Sequence, residues 1–223
     1  GSRWLPVRNP ERYAGDVFQS LARARGLVLP PPEVMAARPE GTELARHDSP
    51  PLATILRDML EYSTNLTAEV VGLAASGAGS ITASARGMQG WLLGQGVEGR
   101  FAFADHSGLS GANAISAADL ALVVRLGQNA GLEAMLKPIA LRDAEGQKID
   151  SPIRISAKTG TLNFVSTLAG YAQGERGVVF AILTGDTARR EAVAGHEAPA
   201  GVAPWVKRSK RLQQGLIEGW VTG

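Results

Sequence analysis

The chain has 223 residues, 44% of them hydrophobic, enough for one sizeable core in a loop-bearing α/β protein. A formal charge of +2 with scattered basic residues leaves no nucleic-acid footprint, and no apolar run approaches the roughly 18 residues that cross a bilayer. The lack of cysteine removes disulfides, thiolate catalysis and zinc–sulfur sites, while leaving the compartment open.

Gly1-Ser2 reads as a cloning scar, and the charged, proline-bearing residues 3–10 as an extended start rather than a secretory leader. Tyr13, Val17, Leu21 and Ala22 predict a helix over 11–25, stopped at Gly26. Pro30-Pro31-Pro32 is a stiff connector, and residues 42–47 are predicted as a strand. After Ser49-Pro50-Pro51, Leu52, Ile55, Leu56, Met59, Leu60 and Ser63 share one helical face, so Ser63 is expected to continue a buried stripe. Further helices are predicted over 66–75 and 80–93, with a loop at 76–79 between them. A short strand is predicted at 101–104, and a helix over 116–126 with Ser116 as its cap and Asp119 at the third position. Residues 129–150 read as helix plus loop.

The last third has the clearest pattern. Ile153, Ile155 and Ala157 alternate with Arg154, Ser156 and Lys158 as in a half-buried strand. Strands at 164–172 and 178–183 form a hairpin around Gly174, and residues 205–220 form a closing helix with Val206, Leu212, Leu216 and Ile217 inside. Hairpin strands with helices before and after predict an α+β fold, an antiparallel sheet covered by helices.

Three motifs carry chemistry. In Lys158-Thr159-Gly160-Thr161, alternation puts the Lys158 ammonium opposite Ile155 and Ala157. Thr159 adds a hydroxyl, and Gly160 lets another backbone approach. Such an edge can hold a carboxylate and pair with an extended peptide, although a strand-end lysine before a glycine turn is the plain alternative. In Ser63-Thr64-Asn65, a hydroxyl and an amide could pass a proton and anchor a carbonyl, or simply cap a helix, with Asn65 left-handed. The turn-rich run from Asp105 to Asn113 is a structural loop or a site edge, and Ala112 breaks the Gly-x-Ser-x-Gly pattern around Ser110. Gly77-Ala78-Gly79 lacks the third glycine of a dinucleotide fingerprint, with Thr82 in its place. His196-Glu197 has Ala200 where a zinc-protease helix needs a histidine, so no metal site is expected.

Together, Ser63-Thr64-Asn65 and Lys158-Thr159-Gly160-Thr161 resemble the Ser-x-Asn and Lys-Thr-Gly elements of penicillin-binding serine acyltransferases. Asp105-His106-Ser107-Gly108-Leu109-Ser110 is similar to the Asp-Gly-Ser-Gly-Leu-Ser signature of the class C low-molecular-mass group, the D-Ala-D-Ala carboxypeptidase/endopeptidases. Val7-Arg8-Asn9-Pro10 and Ala169-Gly170-Tyr171 also resemble that group. The resemblance implies a penicillin-binding/β-lactamase-like transpeptidase fold, here incomplete, with residues 3–223 as the carboxy-terminal part of the DD-peptidase domain. It implies that Lys158 and Thr159 bind the terminal carboxylate of a D-Ala-D-Ala stem peptide or a β-lactam. Gly160 and Thr161 would then line the substrate strand, with the Thr161 N–H forming half of an oxyanion hole. Ser63 would relay the proton to the leaving amine, and Asn65 would hold the substrate amide and orient the base. The implied reaction is acyl transfer through a serine ester, without metal or cofactor, on peptidoglycan in the periplasm or otherwise outside the cytoplasmic membrane.

Two departures matter. His106 stands where the signature has glycine. The family's nucleophile lies in a Ser-x-x-Lys motif, yet Ala134, Glu145, Ile155, Pro204 and Lys207 stand three positions before the lysines here. The nucleophile is therefore expected in a missing amino-terminal segment, and this chain alone is expected to form no acyl-enzyme. A non-catalytic stem-peptide binding module, or a β-lactamase or esterase on the same scaffold, are the rival readings.

Overall fold

The structure, a computed structural model, describes residues 7–37, 40–196 and 199–223. The expected scar at residues 1–2 and the first part of the extended start lie outside them, as does Glu197. The chain forms two compact units, Gly1–Ser49 and Pro50–Gly223.

In the first unit, helix α1 (Pro10–Ala24) starts with proline at its first position, where no N–H is needed. Gln19 Nε2 donates to the carbonyls of Leu29 (3.0 Å) and Pro30 (2.8 Å) and so ties the returning segment to the helix. Gly15 leaves the room that the Pro32 ring occupies. The strand expected at 42–47 does not form. Leu44 is 95% exposed and no strand among the described residues offers its backbone a ladder, so local β propensity has nothing to pair with.

The second unit begins with α2 (Leu52–Tyr62), α3 (Asn65–Ser76), α4 (Ile81–Gly94) and α5 (Ala117–Gln128). Ser80 and Ser116 cap α4 and α5 by accepting the N–H groups of Ala83 and Asp119, as the residue pattern predicts at Ser116. Instead of a strand at 101–104, a single bridge joins Ala102 and Ala114. Residues 129–150 hold a 3-10 turn (Leu132–Met135) and the two-residue strand β1 (Lys137–Pro138), not an α-helix. Among the described residues, no single helix is long and apolar enough to cross a membrane.

Strands β2 (Arg154–Leu162), β3 (Val165–Gln173) and β4 (Gly177–Gly185) complete an antiparallel sheet in the order β1-β2-β3-β4. The mixed α/β architecture is the expected one. Strand β2 runs four residues beyond Lys158, so the whole Lys158–Thr161 motif is strand, and a two-residue hairpin at Asn163-Phe164 follows. Phe164 takes a left-handed φ of 56° in that turn. Its ring is buried edge-on to Trp205, which holds the strained residue in place. Short α6 (Thr187–Ala192), absent from the sequence expectations, precedes α7 (Val202–Thr222).

Ile155, Ala157, Leu168, Phe180 and Ile182 line one face of the sheet and meet Ile217 and Val221 of α7. Tyr171, Ala169 and Val179 line the other and meet Val124 of α5 and Leu136. The Tyr171 hydroxyl donates to the Val124 carbonyl at 2.5 Å and pins β3 to α5. One expectation for α7 fails. Leu212 is 54% exposed, whereas Ser209, Gln213, Ile217 and Val221, spaced four apart, are buried. Two of those positions are polar because the facing sheet is polar there. Gln213 Nε2 donates to Ser166 O (3.0 Å) and Ser166 Oγ (3.2 Å), and Ser209 shares a hydrogen bond with Thr184. Apolar periodicity alone therefore misplaced Leu212, while Ile217 is buried and Leu216 packs against the core as expected.

Ile217→Ala is expected to lower unfolding free energy by about 3 kcal/mol in a urea titration, as for a fully buried aliphatic side chain. Leu212→Ala should change it by no more than about 0.5 kcal/mol.

Candidate active site

Ser63 lies in the tight junction between α2 and α3. It is the residue just past α2 and adopts a left-handed conformation, φ 56° and ψ 48°. For a residue with a Cβ this costs about 1–2 kcal/mol, so the sharp turn is held against a backbone penalty. The left-handed residue is Ser63, not Asn65, which opens α3. Nor does Ser63 continue a buried stripe: it is exposed, and of that stripe Ile55, Leu56, Met59 and Leu60 are only half-buried. The turn swings the hydroxyl off the helical face.

It swings toward β2. Lys158 Nζ donates to Ser63 Oγ at 2.5 Å although 95 residues separate the two in the chain. The amine also donates to the carbonyl of its neighbour Thr159 at 2.7 Å. Burial first, and then the charge of nearby Lys137 on β1, hold the Lys158 amine below the ordinary lysine value of 10.5.

Strand register decides what else faces this pair. Lys158 and Gly160 pair with Ala169 and Thr167, so these four share a face. Thr167 Oγ1 occupies the space a Cβ on Gly160 would need, which is why glycine is required there. Thr159 pairs with Leu168 and stands on the α7 face, so its hydroxyl is not beside the Lys158 amine and reaches the cleft only over the strand edge. Main-chain groups follow the other alternation. Ile155 O accepts from Ile139 N on the β1 side, so the polar backbone of residues 157, 159 and 161 points to that same outer edge. Strand β1 covers only Ser156 and Ala157, and beyond them the edge at 159–161 has no partner strand among the described residues. A cleft of about 540 Å³ lies along it, lined by Ser63, Asn65, residues 107–109 and the Lys158-Thr159-Gly160-Thr161 motif.

The turn-rich loop is a charge-clamped wall of this cleft. Asp105 accepts from the N–H groups of Gly108 (2.8 Å) and Ser110 (2.6 Å) and from Asn113 Nδ2 (2.7 Å). Burial alone would raise its carboxyl, but these hydrogen bonds prevail and keep it below the usual range. Glu69 on α3 accepts from the N–H groups of His106 (3.1 Å) and Ser107 (3.0 Å), and again the hydrogen bonds outweigh burial and lower its carboxyl. His106 extends away from the loop into a gap on α3. Its Nε2 lies 2.7 Å from Ser84 Oγ on α4, and Ser84 donates to Gly72 O at 2.9 Å. The ring fills the space that a Cβ on Gly72 would occupy.

Ser63, Asn65, Lys158, Gly160 and Thr161 thus converge on one cleft, with Thr159 at its rim. Sequence reading missed Lys137, Thr167 and Glu69. Helical spacing could have found Glu69, four residues after Asn65 on α3, but only strand register exposes Thr167. Gly72→Ala, which in an ordinary helix stabilises by about 1 kcal/mol, should destabilise this protein because the new methyl meets the imidazole. Adding His106→Gly should recover the loss, as read from thermal melts of the single and double variants.

A sequence profile of the D-Ala-D-Ala carboxypeptidase 3 (S13) family matches residues 2–208. The D-alanyl-D-alanine carboxypeptidase of Actinomadura sp. (strain R39) is 28% identical over 251 residues, covering 96% of this chain and 45% of that protein. The D-alanyl-D-alanine carboxypeptidase DacB of Haemophilus influenzae is 28% identical over 187 residues, covering 77% of this chain and 39% of that protein. Among solved structures, penicillin binding protein 4 (dacB) from Haemophilus influenzae, in complex with a β-lactam, superposes with a TM-score of 0.73 at 24% identity. That match covers 96% of this chain and 52% of the other, so the fold is shared. The chain spans less than half the length of the curated relatives it matches. With a profile match over nearly its whole length, this chain belongs to the D-Ala-D-Ala carboxypeptidase 3 (S13) family.

Proposed function

We propose that this chain supplies the substrate-holding and proton-relaying part of a serine DD-peptidase that cleaves D-Ala-D-Ala bonds of peptidoglycan stem peptides outside the cytoplasmic membrane. The observation that carries the reading is the 2.5 Å contact between Lys158 Nζ and Ser63 Oγ at the floor of an open-edged cleft.

In this reading the substrate lies along the free edge of β2 as an added strand. Its terminal carboxylate meets the Lys158 ammonium, with the Thr159 hydroxyl reaching over the rim. The scissile carbonyl sits at the outward N–H of Thr161, one donor of an oxyanion hole, and Asn65 holds a substrate amide. A serine from a Ser-x-x-Lys segment outside this chain attacks that carbonyl, giving up its proton to the paired lysine. As the C–N bond breaks, Ser63 gives its hydroxyl proton to the departing amine and is reprotonated by the paired lysine, which holds the proton taken from the attacking serine. Water then hydrolyses the ester, and a β-lactam follows the first half of the path and stays attached.

Incubation with a fluorescent penicillin tests the division of labour. Intact mass should show no covalent adduct on this chain, and one adduct per molecule on the longer protein that includes a Ser-x-x-Lys segment. A stoichiometric adduct on this chain alone would falsify the assignment. Reversible peptide binding by this chain, with no turnover by the longer protein, would make it a recognition module instead.

A pH series gives two responses of opposite sign. The folded-state amine of Lys158 lies below its unfolded value, so between the two values the unfolded chain binds more protons and folding stability rises with pH. Over the same window the ammonium is lost, and affinity for a D-Ala-D-Ala peptide should fall. Lys158→Arg should flatten both profiles, since guanidinium does not titrate there.

A further inference from the structure

Strand β2 has a second hollow behind it, on the face turned away from the Lys158 amine. A cavity of about 430 Å³ lies between the sheet, α7 and residues 137–148. Thr159 lines both this cavity and the cleft, so β2 is the wall between them. Apart from the Thr159 hydroxyl, the reaction above uses nothing on this side of the wall.

The floor is apolar core. Ile155, Leu168 and Ile217 line it, and each is 5% exposed or less. The mouth is cationic. Lys137, Arg142, Lys148 and Lys210 line the same space, and among the described residues no carboxylate does. Arg142, Lys148 and Lys210 are exposed and Lys137 is half-buried, so the charges stand above the apolar floor. No ion pair among the described residues involves any of the four. The mouth is also held in place, because Gln214 of α7 accepts the Arg142 N–H at 2.9 Å and donates to its carbonyl at 2.8 Å. Like charges gathered without a counter-charge repel one another, and an anion among them removes that repulsion.

A buried amide gives a second, independent sign. Gln213 is 4% exposed, and its Nε2 is taken up by Ser166 O and Ser166 Oγ. Its Oε1 accepts no hydrogen bond from the described residues. Yet no enclosed side-chain oxygen among those residues lacks a partner, so Oε1 opens onto the cavity that Gln213 lines. An acceptor at the depth of an apolar hollow calls for a donor that reaches it.

We propose that this cavity binds a small amphiphilic acid. Its anionic head is held by the three lysines and Arg142, and its short apolar body lies on Ile155, Leu168 and Ile217. A hydroxyl or amide N–H at its far end donates to Gln213 Oε1. Such a ligand meets all three parts of the lining at once, whereas an inorganic anion leaves the floor unmet and a neutral lipid leaves the cations unmet. The site lies across β2 from the Lys158 amine, so the proposal does not depend on the peptidase reading.

Three compounds of similar length, titrated into the isotope-labelled chain and followed by its amide resonances, test each part. They are 6-hydroxyhexanoate, hexanoate and the neutral hexane-1,6-diol. At low salt 6-hydroxyhexanoate should bind about tenfold tighter than the diol, and about fivefold tighter than hexanoate for the one added hydrogen bond. The resonance shifts should centre on Ile155, Leu168 and Gln213. The double variant Lys148→Gln/Lys210→Gln changes only exposed positions. It should remove the preference for acid over diol and leave diol binding unchanged. No binding of any compound, equal binding of acid and diol, or equal binding of the two acids overturns the site. So does a preference that survives the double variant, or shifts confined to the exposed lysines.

Discussion

An ammonium taken partly out of water needs hydrogen-bond acceptors around it to replace the solvent it loses, and Lys158 meets that requirement from two directions. The carbonyl of Thr159 comes from its own strand, and the hydroxyl of Ser63 from a helix junction far back in the chain. Each contact sets a condition on the rest of the second unit. Strand β2 must keep a register that turns Lys158 away from the α7 core, and the α2–α3 junction must bend sharply enough to deliver a hydroxyl. The left-handed backbone at Ser63 is what that bend requires.

The sheet meets the first condition through unusually close packing. Gly170 sits against Ala157 and the carbonyl of Ser156, where an added Cβ would meet backbone atoms within 2.6 Å. One slip in register would turn every side chain of β2 over, burying Lys158 and exposing Ile155 and Ala157. On the opposite side, the polar seam of Ser166, Thr184, Ser209 and Gln213 fixes where α7 lies on the sheet, because each buried polar group has a partner there. Core packing and cleft are thus consequences of one sheet registration.

The loop from Asp105 to Asn113 carries its own consistency. Two carboxylates, Asp105 and Glu69, are satisfied largely by loop N–H groups, so the chain between them is held without regular secondary structure. His106 is accommodated by Gly72 on the facing helix, where no side chain competes with the imidazole.

Local chemistry determined much of this protein from sequence alone. Ser116 announced a cap, and Ile155 and Ala157 announced a strand with Lys158 on its reverse. These signals depend on neighbours within a few residues, where periodicity and capping act directly. Only tertiary structure decided the rest. Residues 42–47 are no strand because no partner meets them, and α7 buries Ser209 and Gln213 because the opposing strands present hydroxyls. The physical reason is the same in each case: burial and pairing belong to two surfaces at once, and one stretch of sequence describes only one of them.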